Sequence, residues 1–311
     1  MRRVLPLLLA LIAGQADAAG AVLVMNSGEA SLSVIDMATA REVRRIPVLR
    51  EPHHVMLTPD GRELLVGDTG ANEILAFDPV TFELKRRIPA ADPYQIGFSP
   101  DGKYLVVNGF ARAQVDIHDA VSFKLIKRFA LKSMPSHMAF SPDSASVFIT
   151  LQGTSKIAAL DLRALTLRWI AETGPAPAGV LWNKGRLLVA NMGSDEVWVI
   201  DPATGKTERK IRTGKGAHQL FPSPDGRLLY VNNRIDSTAV TLDATTLAQV
   251  RSYKLPGGPD DIEFAPDGKV WFTLRFVHKV AVLDPVSGNF TTIVVGRSPH
   301  GIYLNAKATP K

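Results

Sequence analysis

The sequence has 311 residues, of which 46% are hydrophobic and 21% charged, so the chain can bury a core and is not predicted to be disordered. It contains no cysteine, which excludes disulfides, thiolate zinc sites, iron–sulfur clusters, covalently attached c-type haem and a catalytic cysteine. The formal net charge of +6 is mildly basic and does not by itself indicate a nucleic-acid partner.

The first 18 residues have the pattern of a cleavable signal peptide. Arg2 and Arg3 precede a short apolar run over residues 4–13 and a small-x-small sequence at residues 16–18. The run is too short to span a membrane, and no later segment has about 18 uninterrupted apolar residues. A buried first strand is the alternative interpretation. We therefore predict a signal peptide over residues 1–18, a mature domain over residues 19–311, and a periplasmic or secreted protein.

The mature chain divides into seven similar units. Each begins with a short strand that runs from proline, or its equivalent, towards a Pro-Asp-Gly turn, as in PHHVMLTPDG (52–61) and PDDIEFAPDG (259–268). The seven starts are 40 to 42 residues apart, which is the period of a β-propeller blade. In such a turn, proline presets φ, aspartate bonds nearby backbone and glycine takes positive φ. One unit has Asn-Lys-Gly at residues 183–185 in place of the turn.

Three more strands are predicted in each unit. An apolar second strand follows the turn, a third strand ends in aspartate, and a fourth strand is rich in charge. We interpret the aspartates as residues that cap the next turn. Four strands repeated seven times predict an all-β, seven-bladed β-propeller. We expect the N-terminal strands and the C-terminal strand HGIYL (300–304) to form one blade together and so close the ring.

These repeats resemble the YVTN-type repeat of YncE-type bacterial β-propellers, which occur in surface and periplasmic proteins. LLYVNN (228–233) and the two segments quoted above carry the likeness, which covers essentially the whole mature chain. The resemblance implies the propeller fold but not an activity, because propellers include binding proteins, scaffolds, lyases, lactonases and redox subunits.

Histidines are concentrated in one part of the repeat. Five of the seven occupy the two positions after the repeat-start proline or its equivalent: His53, His54, His137, His218 and His300. Those two columns hold 14 of the 293 mature positions, so random placement would put less than one histidine there. The strand starts share one face of the ring, the top face, where converging neutral imidazoles favour Zn²⁺ or copper. Hydrogen-bonding imidazoles that cap strands or line a wet channel are the alternative. Because adjacent residues alternate along a strand, we expect His53 and His54 to point to opposite sides.

Further candidate residues lie on the same face. Asp260 occupies a histidine position in its unit and His278 lies in a top-face turn, so both are predicted to support the metal. Arg112, Arg234 and Arg275 follow second strands and are predicted to bind a carboxylate or phosphate by two hydrogen bonds, with solvated charges as the alternative. Basic pairs on the outermost strands are interpreted as protection of sheet edges, so no nucleic-acid partner is expected.

Three functions remain open. No G-x-S-x-G elbow, H-E-x-x-H sequence, Walker loop or Rossmann fingerprint occurs. The first hypothesis is a monomeric, non-enzymatic binding protein that holds copper, zinc or an anionic cofactor, with or without its own metal, at the top of the channel. Its metal affinity is expected to fail below about pH 6, where imidazoles protonate. The second is an enzyme of the lyase or lactonase type with a histidine base and a top-face metal. The third is a scaffold whose top face binds another protein.

Overall fold

The structure is a computed structural model that describes residues 20–310. These residues form seven four-stranded antiparallel sheets around a central channel, which confirms the predicted all-β, seven-bladed propeller. The predicted signal peptide over residues 1–18 lies outside the described residues, so it and the start of the mature domain stay predictions. Among the described residues, no helix combines the length and the apolar character that a membrane span requires.

The strands follow one another in chain order, from the channel outwards in each blade. The first four blades contain β1 (Ala21–Asn26), β2 (Ser31–Asp36), β3 (Arg41–Pro47), β4 (Pro52–Leu57), β5 (Leu64–Asp68), β6 (Glu73–Phe77), β7 (Leu84–Pro89), β8 (Pro93–Phe98), β9 (Tyr104–Gly109), β10 (Gln114–Asp119), β11 (Leu125–Ala130), β12 (Pro135–Phe140), β13 (Ser146–Leu151), β14 (Lys156–Asp161) and β15 (Thr166–Glu172). Two single-turn 3₁₀ helices span Thr69–Ala71 and Gln152–Thr154.

The remaining blades complete the ring. They contain β16 (Pro177–Asn183), β17 (Arg186–Asn191), β18 (Glu196–Ile200), β19 (Thr207–Arg212), β20 (Ala217–Pro222), β21 (Leu228–Asn233), β22 (Thr238–Asp243), β23 (Gln249–Lys254), β24 (Pro259–Phe264), β25 (Val270–Leu274), β26 (Lys279–Leu283) and β27 (Phe290–Val294). The last strand, β28 (Pro299–Asn305), returns to the first blade.

The ring closes through a blade that is built from both parts of the chain. β28 is its innermost strand and pairs with β1, with Ala21 opposite Asn305 and Val24 opposite Ile302. The residues after β28 add a second connection, because the Thr309 N–H donates to the Val80 carbonyl of the next blade at 2.9 Å. The predicted closure is therefore confirmed, and non-covalent interactions hold the two ends together: these hydrogen bonds and the apolar packing of Ile302 with Val22 and Val24.

The turns opposite the top face are fixed by short side chains. Thr58 Oγ1 donates to Asp60 Oδ1 at 2.7 Å, and Gly61 follows at a φ of +70° that favours glycine. Asp78 Oδ1 accepts from the N–H groups two and three residues later, at 2.9 and 3.0 Å. The aspartates at the ends of third strands therefore cap turns, as the sequence indicates. Asn183, from the unit without Pro-Asp-Gly, donates instead to the carbonyl of Ala244 at 2.9 Å.

Apolar side chains fill the space between neighbouring blades. Between the first two blades, Leu23 and Leu32 belong to the same cluster as Leu64, Leu75 and Phe77, all at most 1% exposed. Complete burial of one such side chain stabilises the fold by about 1.5–3 kcal/mol. This packing fixes the angle between blades and hence the positions of the inner strand starts.

Polar side chains on second strands also brace the top of the ring. Each donates to a backbone carbonyl on the inner strand of the next blade: Asn108 to Ser136 at 3.0 Å, Thr150 to Ala178 at 2.7 Å, Asn232 to Asp260 at 3.0 Å and Thr273 to His300 at 2.8 Å. All four donors are 0% exposed. Because buried bonds of this kind are costly to lose, they hold the strand starts in fixed relative positions.

Candidate functional site

The five histidines of the repeat-start columns lie together at the top of the channel. We call His53, His54, His137, His218 and His300 the histidine site. Its side chains come from β4, β12, β20 and β28, and each residue is between 1% and 6% exposed. The ring centroids of His54 and His300 are 4.6 Å apart, those of His54 and His137 5.1 Å, and those of His137 and His218 5.2 Å. One continuous cluster of imidazoles therefore occupies the mouth of the ring.

The expectation that His53 and His54 point to opposite sides of their strand is wrong. Their Nδ1 atoms lie 2.8 Å apart. The register between β4 and β5 shifts between Pro52 and Val55, so the regular alternation of side chains is interrupted at the histidines. Comparable shifts occur at the starts of the other inner strands. The distortion brings two consecutive imidazoles into one cluster.

Hydrogen bonds define the protonation of two histidines. His54 Nδ1 lies 2.7 Å from the Tyr94 carbonyl oxygen, and His300 Nδ1 lies 2.6 Å from Asp260 Oδ2. A carbonyl and a carboxylate can only accept, so both Nδ1 atoms carry the hydrogen and both Nε2 atoms keep a lone pair. The Nε2 atoms of His54, His137 and His300 are buried and make no hydrogen bond within residues 20–310. Two Nε2 lone pairs, on His54 and His300, are therefore left for a ligand, whereas the Nδ1 of His137 lies 2.8 Å from the Ser136 hydroxyl, which can donate or accept and does not fix the tautomer.

Asp260 is the centre of a buried ionic cluster beside these imidazoles. Its side chain is 0% exposed and accepts from Arg234 Nε at 2.6 Å, from Arg234 Nη2, from Arg275 Nη1 at 3.2 Å and from His300. His218 Nδ1 lies 3.1 Å from Asp260 Oδ1 but without hydrogen-bond geometry. The carboxylate thus orients His300 and anchors two arginines from neighbouring blades.

Burial controls the charges of the site. Desolvation lowers the pKa of His300 to about 4, although Asp260 opposes the shift. Desolvation likewise takes the pKa values of the other four site histidines well below the ordinary value. Burial alone would raise the pKa of Asp260, but Arg234, His300 and His218 hold it well below its usual range. The site therefore combines neutral imidazoles with an ionised carboxylate, the protonation that metal binding requires.

The structure brings together some of the other predicted residues and not the rest. Asp260, Arg234 and Arg275 adjoin the histidine site through the contacts above. Arg112 is exposed and interacts through its backbone N–H with Asp92 at 2.9 Å. His278 is exposed in a turn, where Nδ1 accepts from the Ser298 N–H at 3.2 Å. Arg112 and His278 therefore make no contact with the cluster, and their interpretation as ligands has no support from its geometry.

Tyr94 is a residue of the site that the sequence reasoning did not select. Its ring centroid lies 3.9 Å from that of His53 and 4.6 Å from that of Phe110, and its carbonyl fixes His54. Burial raises the pKa of its phenol. Tyr94 occupies a column that holds histidine in other blades, so its place in the repeat was the available signal.

Two overlapping sets of histidines could bind a metal ion. His53, His54 and His300 have ligand atoms that all lie within 4.8 Å of one another. The unpartnered Nε2 atoms instead select His54, His137 and His300. The first set is the one whose ligand atoms have the mutual spacing that a single ion needs, although His53 Nδ1 already contacts the protonated Nδ1 of His54. His54 and His300 belong to both sets, and the carboxylate behind His300 is typical of metal-binding histidines.

The fold and this top-face site define a β-propeller with a polar channel mouth. The sequence matches the YncE-like β-propeller family over residues 2–310, and the chain belongs to that family. No curated protein matches it significantly.

Solved propellers show the same architecture at low sequence identity. A functionally unknown protein from Desulfotomaculum acetoxidans is 13% identical, with 91% of this chain and 98% of that chain covered and a TM-score of 0.77. PpgL, the periplasmic gluconolactonase of Pseudomonas aeruginosa, is 21% identical, with 92% and 98% covered and a TM-score of 0.74. NirN, a dihydro-heme d1 dehydrogenase in complex with DHE, is 16% identical, with 96% and 78% covered and a TM-score of 0.69. At these identities the likeness shows the fold alone.

Proposed function

We propose that this chain is a periplasmic metal-binding protein that holds one Zn²⁺ or copper ion in the histidine site. The observation that carries the proposal is the group His53, His54 and His300, whose ligand atoms all lie within 4.8 Å of one another, together with the buried Nε2 atoms of His54 and His300 that no protein donor contacts in the described chain. A buried polar atom without a partner costs free energy, roughly 1–3 kcal/mol. A metal ion would recover that cost, and imidazole nitrogen is a preferred ligand of both metals.

Hydrogen bonds orient two of the imidazoles as metal ligands. Asp260 donates no proton and accepts from His300 Nδ1, which directs the Nε2 lone pair of His300 away from the carboxylate. Such carboxylate–histidine pairs raise the basicity of a ligand, and their loss weakens metal binding by roughly 10- to 100-fold. His54 receives the same kind of support from the Tyr94 carbonyl.

Burial favours an ion over a large cofactor. Every member of the histidine site is at most 6% exposed, whereas an organic ligand needs accessible surface to bury. Periplasmic placement is supported by the N-terminal pattern of the sequence and agrees with the compartment named for PpgL.

The test is a titration of the mature, metal-free protein with Zn²⁺ and, separately, copper against a chromophoric competitor. We expect one ion per chain and a loss of affinity beyond about 100-fold in His54→Ala and His300→Ala, because each removes a direct ligand; His53→Ala and His137→Ala then show which imidazole supplies the third ligand. His300→Gln keeps the side-chain volume and should lose affinity equally.

His118→Ala is the matched control. His118 is also buried, at 7% exposed, but its Nδ1 donates to the Phe123 carbonyl at 3.0 Å, far from the top face. It should keep the affinity of the parent. No uptake by the parent protein, or equal affinity in all variants, would contradict the proposal.

A lactonase-type enzyme is the second candidate. Neutral imidazoles next to two guanidiniums provide a base and groups that stabilise an oxyanion. The small exposure of the histidines argues against access for a lactone. Hydrolysis of a lactone panel that is lost in His300→Gln would favour the enzyme, and metal uptake without turnover would favour the binding protein.

A further inference from the structure

Two guanidiniums share a single carboxylate at the histidine site. Arg234 and Arg275 both donate to Asp260, and their side chains are 16% and 22% exposed. Asp261, the next carboxylate along β24, accepts instead from the backbone N–H of Ile262 at 3.0 Å. Arginine stays protonated in proteins, so one positive charge of this cluster has no partner.

Two other paired arginines, Arg86 and Arg128, each have a carboxylate of their own. Arg86 makes a two-point contact with Glu63 at 2.9 and 2.6 Å, and Arg128 makes one with Asp116 at 2.7 Å for both bonds. Arg275, in contrast, contacts Asp260 through Nη1 alone. A guanidinium has five N–H donors, and Arg275 has no further side-chain acceptor within residues 20–310. Most of its donors therefore remain for a ligand.

A cation alone would fit this environment poorly. A divalent ion bound by neutral imidazoles would add two positive charges beside the unpaired guanidinium. Like charges in a largely dehydrated site repel strongly, because the effective dielectric constant is low. An anion between the guanidinium and the histidine site would offset this repulsion.

We propose that Arg275, with Arg234, forms an anion subsite that binds a small carboxylate or another oxyanion together with the metal ion. The planar fork of arginine matches both carboxylate and phosphate oxygens. The inference rests on the proposed metal-binding function and specifies the second ligand of that site. By linkage, the anion tightens metal binding and the metal tightens anion binding by the same factor.

The experiment measures zinc affinity with and without the anion. The mature, metal-free protein is titrated with Zn²⁺ in a non-coordinating buffer, and a zinc indicator reports the free ion. Acetate and inorganic phosphate are added in separate series, with perchlorate at equal ionic strength as the reference. We expect acetate, phosphate or both to tighten zinc binding by roughly 5- to 150-fold, the usual range of coupling between sites.

Variants assign the effect to the subsite. Arg275→Gln should abolish the dependence on acetate and phosphate and should tighten zinc binding in perchlorate, because a nearby positive charge is removed. Arg112→Gln is the matched control: it changes an exposed top-face arginine outside the cluster and should retain the anion effect.

The outcomes separate the two proposals. Zinc binding that is equally tight in all three salts, or an anion effect that persists in Arg275→Gln, overturns the anion subsite and leaves the metal site intact. Absence of zinc binding in every salt overturns both. An anion effect that is lost in Arg275→Gln and kept in Arg112→Gln supports both.

Discussion

Replacement of Asp260 by asparagine tests the ionic cluster directly. Asp260→Asn preserves size but leaves Arg234 and Arg275 without an anionic partner. Removal of one member of a buried ion pair costs about 3–5 kcal/mol of folding free energy. Since the two arginine side chains are 16% and 22% exposed, water retains part of their solvation. We therefore expect the lower end of the range, about 3 kcal/mol.

The assay is urea unfolding of the metal-free protein at neutral pH, followed by tryptophan fluorescence. The pKa of Asp260 is lowered in the fold, so its stabilising contribution is present above the ordinary aspartate pKa and is lost as the pH falls through the folded-state value. Neutral pH thus reports the full effect. Asp116→Asn is the control, because Asp116 is also buried, at 1% exposed, but pairs with Arg128, which is 47% exposed. Its loss is expected to be below about 1 kcal/mol.

A second substitution distinguishes electrostatics from packing. Addition of Arg275→Gln to Asp260→Asn removes one unpaired buried charge and should restore part of the lost stability. The reasoning is refuted if Asp260→Asn is no more destabilising than Asp116→Asn, or if the two substitutions at the cluster simply add.

Two further predictions concern pH and ring closure. Because burial lowers the pKa of His300 to about 4, zinc affinity should persist well below the pH 6 expected for free imidazoles and should fall only as the pH approaches the lowered pKa of His300. Loss of zinc at pH 6 in competition titrations would contradict the burial argument. The metal-free protein should lose stability as the pH falls from the ordinary histidine value of 6.5 through the lowered folded-state value, since in that range the unfolded chain binds protons that the folded chain does not. Deletion of residues 299–311 removes β28 and should lower the melting temperature sharply; an unchanged melting temperature would contradict the closure of the ring by β28 and β1.

The fold could be predicted from the sequence because the same sequence pattern recurs in every blade. A period of 40 to 42 residues, with one turn motif and one capping aspartate per unit, specifies four strands and their order in every blade. Closure followed from the missing inner strand of the first blade, which only residues 300–304 could supply. The prediction needed no side-chain geometry, since the blades pack through apolar residues at regular positions.

The site could be predicted in part, because the repeat specifies whether a residue lies at the top face or the opposite face of the ring but not the direction of its side chain. The histidine columns gave the cluster, and Asp260 was correctly placed beside it. The sequence does not show the register shift that turns His53 towards His54. His278 was selected for its position on the top face, but it lies in an exposed turn, where its φ is +58° and its ring accepts from the Ser298 N–H.

The arginines illustrate the same limit. Arg112, Arg234 and Arg275 occupy related turns, yet only the last two have a buried carboxylate within reach. That carboxylate belongs to the single blade in which aspartate replaces histidine at the first column position, so the asymmetry of the site comes from one residue.

Elemental analysis of the mature, untagged protein isolated from its native compartment tests the central claim most directly. The close imidazoles of His53, His54 and His300, with unpartnered Nε2 atoms on His54 and His300, predict near-stoichiometric zinc or copper. A protein that is isolated without metal and that takes up neither ion on titration would contradict the claim.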